Sequence, residues 1–225
     1  MTQTRRSQPV VALGVLALVL LAASFWVSLT LAPPDRLMGE VQRIMYVHVP
    51  AAWVGFLAFF TCFVASILYL WRRDLRWDAL AHSSAELGVV FLGLATALGS
   101  IWGKPTWGVW WTWDPRLTTA AILLAIFLGY LALRAFVEEP DRRARRSAAV
   151  GIVGFLDVPI VYLSVFWWRT LHQQPLGPET VATPMRIALL LGVVSFTVFF
   201  AFLLAERYRL ARLESGIELA EVSRA

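Results

Sequence analysis

Cysteine is almost missing from this sequence: Cys62 stands alone among 225 residues. One thiol excludes an internal disulfide framework and any multi-cysteine metal or iron–sulfur site. Charge is also scarce. Asp, Glu, Lys and Arg supply 16% of the chain, against about a quarter in ordinary soluble domains. Only three histidines occur, and no His/Cys/Asp grouping has zinc-site spacing, which argues against structural zinc. There is no low-complexity segment, no short internal repeat and no polar gap long enough to fold as a soluble domain. What fills the chain is apolar: 59% of residues are hydrophobic and the mean hydropathy is +0.66. A soluble domain of this size has too little interior to hide that much apolar surface, and a disordered chain would be poor in it. An integral membrane protein is the reading that remains. The net charge of +5 therefore bears on orientation in a bilayer, not on nucleic acid.

A spanning helix needs about 20 mostly apolar residues. Six stretches qualify, running approximately over Val10–Leu31, Ala51–Trp71, Glu86–Trp102, Leu117–Val137, Ala148–Trp168 and Met185–Ala205. The third carries Gly88, Gly93 and Gly99, which lower helix propensity but permit close helix contact. Long continuous apolar runs do not fit the alternating pattern of a membrane β-barrel. The expected fold is all-α and polytopic, with six transmembrane helices in one domain over residues 1–225. The polar gaps alternate sides. One side receives Arg5, Arg6, Arg72, Arg73, Arg76, Arg134, Arg142, Arg143, Arg145, Arg146, Arg207, Arg209, Arg212 and Arg224, 14 positive residues. The other receives six: Arg36, Arg43, Lys104, Arg116, Arg169 and Arg186. That asymmetry predicts that both termini are cytoplasmic. The first stretch, with Arg5 and Arg6 ahead of it, also has features of a signal peptide. It is longer than a usual signal core and lacks a clear small-x-small site, so an uncleaved span is preferred. Function then falls to the helices and to three outer loops, Ala32–Pro50, Gly103–Arg116 and Arg169–Pro184.

The outer loops hold the chemistry. Trp102, Trp107, Trp110, Trp111 and Trp113 fall within 12 residues, interrupted by Gly103, Pro105 and Gly108. An interfacial aromatic belt accounts for one or two tryptophans per helix end, such as Trp26 or the Trp167–Trp168 pair. Five in so short a stretch also suit a flat apolar platform for a large planar ligand, and composition leaves both readings open. Asp114-Pro115 before an apolar helix reads as an N-cap followed by proline at the first helical position, with room for a second role in tying down the loop. His48 precedes the second span and His172 follows the fifth, so both belong to the outer face, whereas His82 belongs to the cytoplasmic one. A lone histidine is usually an ordinary interface residue. Two at one depth beside an aromatic platform suggest axial ligands for heme iron. Asp157, inside the fifth span, reads either as a functional group at membrane depth or, preferred here, as a polar contact near the kink that Pro159 creates. Ser83-x-x-Glu86 reads as a capping box opening the third span. The arginines at 142–146 read as a solvated loop that could also touch anionic lipid or a cytoplasmic partner.

These residues resemble a known family. Trp107-Gly-Val-Trp110-Trp111-Thr-Trp113-Asp114 is similar to the tryptophan-rich WWD signature of heme-handling proteins. Within that superfamily the chain resembles the CcmC family of cytochrome c maturation. Three blocks carry the likeness: Gln42 to Trp53 around His48, the tryptophan loop from Trp102 through Thr118, and Trp167-Trp168-Arg-Thr-Leu-His172-Gln. The resemblance implies that His48 and His172 are axial ligands of a non-covalent heme b. It implies that Trp102, Trp107, Trp110, Trp111, Trp113 and Asp114 form the platform on which a CcmE-like heme chaperone docks. It further implies a bacterial cytoplasmic membrane, a heme site facing the periplasm, the partners CcmA, CcmB and CcmD, and delivery of heme instead of an enzymatic reaction. Arg43, Lys104, Arg116 or Arg169 could neutralise the propionates. Two other readings stand beside it. One is a permease subunit moving a small solute through its helices, with Asp157 as its best evidence. The other is a membrane b-type cytochrome, which would place histidine ligands at membrane depth, ordinarily four for two hemes.

Overall fold

In the computed structural model the described residues are 8–173 and 181–222, with side chains described as far as residue 214. Arg5, Arg6 and Arg224, which entered the charge count above, lie outside them. The described chain is helical: α1 (Gln8–Trp26, extended by a π-turn over Val27–Leu31), a 3-10 turn (Glu40–Ile44), α2 (Met45–Arg72), α3 (Leu75–Trp107), α4 (Pro115–Phe136), α5 (Pro140–Phe155), α6 (Asp157–Trp167) and α7 (Thr183–Val222). Six segments are long and apolar enough to cross a membrane, with α5 and α6 together making the fifth. The polytopic all-α reading therefore holds.

The helices differ from the expected spans where polar residues turn out to be paired inside the bundle. The third span begins at Leu75, not at Glu86. Its cap is Asp74, whose carboxylate accepts the Arg76 amide at 2.9 Å. Ser83 and Glu86 are not a capping box: Ser83 bonds back to the Ala79 carbonyl, and Glu86 takes two bonds from Arg207 of α7, at 2.6 and 3.1 Å. The expected gap between the second and third spans, residues 72–85, shrinks to Arg73 and Asp74. Arg73 takes the left-handed conformation at φ 57° and donates to the Tyr69 carbonyl, closing α2. The arginines at 142–146 lie on the first turns of α5, not in a loop. Glu139 caps that helix through two backbone amides and Pro140 opens it, the same device as Asp114-Pro115 at α4.

Packing centres on α2, which lies along α3 and also touches α5 and α7. Phe59 of α2 stacks on Phe127 of α4 with ring centres 3.8 Å apart. The α3 glycines divide by position. A Cβ on Gly88 would come within 2.3 Å of the Phe59 ring, whereas one on Gly93 would meet nothing within 4 Å. Gly88 is thus a close-contact glycine and Gly93 is not. In α2, Pro50 is fully buried and faces Gly192 of α7. Helix α1 is peripheral, packing on α7 and burying only Gly14, Ala17 and Ser24.

At the arginine-rich end three polar clamps join different helices. Arg134 of α4 holds Asp78 of α3 through two bonds at 2.6 and 2.8 Å. Both side chains are about nine-tenths buried, at 9% and 10% exposure. Arg134, counted above only for its charge, is thus neutralised by a carboxylate one turn into α3. Glu86–Arg207 joins α3 to α7, and the Tyr69 hydroxyl donates to Asp141 at 2.6 Å, joining α2 to α5. His82 lies in this region, 3.4 Å from Glu86.

Candidate functional site

At the other end the helices splay around a cavity of about 680 Å³, within the range of roughly 300–1,000 Å³ usual for ligand pockets. Its walls come from α2 (His48, Ala52, Phe56), α3 (Ala95, Gly99, Trp102, Trp107), the start of α4 (Arg116, Ala120), α6 (Val161) and His172. Asp35, Leu37 and Met38 close a further side. They sit in a bend held by paired Asp35–Gly39 backbone bonds and by the Asp35 carboxylate, which caps the Leu37 and Met38 amides at 2.8 Å each.

The two outer histidines meet here, 124 positions apart in sequence, with ring centres 6.5 Å apart and planes inclined by 37°. Each commits the same nitrogen. His48 Nδ1 lies 2.8 Å from the Ala95 carbonyl, and His172 Nδ1 lies 2.8 Å from the Gln173 carbonyl. A carbonyl can only accept, so each Nδ1 is the donor, and in the neutral ring Nε2 keeps its lone pair. That is the second-shell arrangement of a metal-binding imidazole. Burial pulls the His172 imidazole below its ordinary value against the opposing Gln173 carbonyl, and the charge of Arg116 lowers it further. The ring is therefore neutral near pH 7, as a ligand must be. His48 sits inside α2, not before it, because the helix starts at Met45. Its ring lies so close to Gly99 that a Cβ there would come within 2.9 Å of Cε1, and Trp102 stands edge-on to it with ring centres 5.9 Å apart.

The tryptophans separate into two sets. Trp102 and Trp107 belong to the last turns of α3, not to a loop, and the loop itself begins at Gly108, which closes α3 at φ 79°. Trp102, Trp107 and Trp111 line the cavity. Trp110 and Trp113 face outward, at 57% and 80% exposure. The loop is pinned by Ser100 Oγ donating to the Trp110 carbonyl at 2.7 Å and by Lys104 Nζ donating to the Gly108 carbonyl at 2.9 Å.

Asp114 caps α4, as expected, by accepting the Leu117 amide at 3.1 Å. Its other oxygen accepts the Thr170 hydroxyl and the Leu171 amide, the latter at 2.8 Å. Burial opposes ionisation of Asp114, but the bonds from Thr170, Leu117 and Leu171 outweigh it and hold the carboxyl below its usual range. Of the four cationic candidates, Arg116 lines the cavity. Its guanidinium donates to the Val161 and Tyr162 carbonyls at 2.7 and 3.1 Å. Arg43 is bound to Glu40 and the Ser28 carbonyl, Lys104 to its own loop, and Arg169 stands exposed; none of these three lines the cavity. Thr170, Gly99 and the Ala95 carbonyl were not foreseen. A threonine two residues before a candidate ligand, and a glycine in the third span at outer depth, were the signals available. Asp157 lies at the α5–α6 break after Leu156, and one of its buried oxygens has no hydrogen-bond partner.

Fold and site together define a six-span membrane protein with a cavity at one end, walled by indoles and holding two imidazoles side by side. The family profile described as heme exporter protein C matches residues 2–222, and the chain belongs to that CcmC family. It is 36% identical over 220 residues to heme exporter protein C of Bradyrhizobium diazoefficiens, covering 94% of this chain and 83% of that one. It is 34% identical to the proteins of the same name from Haemophilus influenzae and Escherichia coli K12, each covering 88% of this chain and 82% and 81% of theirs.

Proposed function

We propose that the protein handles heme for cytochrome c maturation, binding it in this cavity and delivering it to a CcmE-like chaperone. The observation that carries the reading is the pair of imidazoles 6.5 Å apart with both Nδ1 atoms occupied. A ring-centre separation of 6.5 Å with each Nδ1 turned to a carbonyl supports the reading that His48 and His172 would hold one iron between them through Nε2. Trp102, Trp107 and Trp111 offer the macrocycle flat apolar faces. Arg116 is the best placed cation for a propionate. The exposed Trp110 and Trp113 suit the docking surface. The cargo is non-covalent heme b, and the protein acts by binding and release, not as an enzyme. One domain over residues 1–225 sits in a bacterial cytoplasmic membrane with both termini cytoplasmic and the cavity toward the periplasm, beside CcmA, CcmB and CcmD.

The test is optical spectroscopy of the purified full-length protein. Wild type is expected to give a six-coordinate, low-spin heme spectrum. His48→Ala and His172→Ala are each expected to shift the Soret band or lose the heme. An unchanged spectrum in both variants removes the ligation claim. Loss of heme to added apo-chaperone separates delivery from the electron transfer of a b-type cytochrome. A reporter fused at residue 110 checks the orientation.

A further inference from the structure

The two candidate ligands are held in different ways. His48 is built into a helix: α2 fixes its backbone, the Ala95 carbonyl of α3 fixes its ring, and Gly99 backs it at contact distance. His172 lies beyond the end of α6 in a stretch with no regular structure. Among the described residues, the hydrogen bonds that fasten the segment from Arg169 to Gln173 to the rest of the chain all end on one carboxylate oxygen of Asp114, from Thr170 Oγ1 and Leu171 N. The Thr170 oxygen in turn accepts the His172 amide at 3.0 Å, and among the described residues the His172 ring bonds to its neighbour Gln173. The chain of contacts therefore runs from Asp114 through Thr170 to His172. Asp114 is also the residue directly after Trp113, the most exposed tryptophan of the loop, and its second oxygen caps α4.

We infer that Asp114 is a positioning residue that couples the tryptophan loop to His172, and that His172 is the ligand surrendered first when that loop is displaced. This rests on the heme-ligation reading above. A ligand on a rigid helix pair keeps its place when the loop moves. A ligand suspended from the loop's last residue follows it. Bonds to a charged acceptor are among the stronger ones in proteins, so the tether is firm at rest and is lost as a unit once the carboxylate shifts. Docking of a partner on Trp110 and Trp113 then acts on iron coordination without touching the heme.

The experiment uses the full-length protein with Thr170→Val, Thr170→Ser and Asp114→Asn beside the two histidine variants. Asn keeps one acceptor oxygen, so it can cap α4 or hold Thr170 but not both. In the heme-free protein, amide hydrogen exchange of residues 168–173 is expected to speed up in Thr170→Val and Asp114→Asn and to stay near wild type in Thr170→Ser. In the ferrous heme-loaded protein, carbon monoxide binds only after one histidine leaves. Its binding is expected to accelerate roughly three- to tenfold in Thr170→Val, the equivalent of one lost hydrogen bond, with Thr170→Ser near wild type. Added imidazole is expected to restore the low-spin spectrum in His172→Ala, where the ligand is missing, and to change little in Thr170→Val, which keeps it. The wild-type carbon monoxide adduct is expected to match that of His172→Ala. Wild-type exchange and binding rates in both Thr170→Val and Asp114→Asn, with His172→Ala altered, overturn the coupling. A wild-type adduct matching His48→Ala overturns the order of release. If neither histidine variant alters the spectrum, ligation itself has failed, and the exchange measurement still decides whether the tether exists.

Discussion

The two ends of the bundle are built on opposite rules. At the arginine-rich end, ionisable side chains from different helices are matched at close range: Asp78 with Arg134, Glu86 with Arg207, Tyr69 with Asp141. At the histidine end the helices stand apart around about 680 Å³ of space, and polar groups bond to backbone carbonyls of neighbouring segments, as with His48 to Ala95 and Arg116 to Val161. Helices in a bilayer gain little from apolar burial against one another, since lipid tails are equally apolar. Specific polar pairs and close packing must supply their cohesion. Concentrating those pairs at one end leaves the other free to be hollow, and a hollow is what a cargo site requires.

That contrast can be broken most forcefully at the clamped end. Arg134→Ala leaves Asp78 buried without a partner, and the expected loss is about 3–5 kcal/mol, read as a lowered thermal midpoint in detergent. Replacing both residues with apolar ones is expected to restore much of it. A smaller effect at the hollow end sharpens the comparison. Gly99→Ala drives a methyl group against the His48 ring, so heme affinity is expected to fall by about 1–3 kcal/mol, measured by heme titration. Gly93→Ala, one and a half turns away and facing open space, is expected to leave affinity unchanged and to stabilise the helix slightly. The smallest change is expected from Ser100→Ala, which removes the bond to the Trp110 carbonyl. Faster amide exchange over residues 108–113, with a local cost of about 0.5–1.5 kcal/mol and an unchanged thermal midpoint, is the expected result.

Much of this is legible in the sequence. Apolar runs give the six spans, because bilayer thickness fixes helix length. The capping roles of Asp114 and Pro115 are local, and local chemistry reads directly. That His48 and His172 share one side followed from topology, since one precedes the second span and the other follows the fifth; their 6.5 Å approach comes from the fold. What hid was non-local pairing. Asp78 and His82 look like loop residues, and Glu86 like a helix start, until Arg134 and Arg207 are seen beside them, which is why α3 begins 11 residues ahead of the expected span. The tryptophans could be counted but not sorted, because whether an indole faces cavity or solvent depends on where α3 ends. Gly99 and Gly93 look equivalent in sequence, and only the position of the His48 ring separates them.

The Arg73–Asp74 corner has a reach that its size conceals. It joins helices of 28 and 33 residues and sets which α3 residue lies opposite each α2 residue. His48 is 25 positions from Arg73, about 37 Å away at the rise of an α-helix. One residue inserted at the corner would rotate α3 by about 100° relative to its neighbour, carrying the Ala95 carbonyl and Gly99 off the imidazole together. The alignment of the His48 ring is thus dictated from the far side of the bilayer, by the length of a turn that never approaches it.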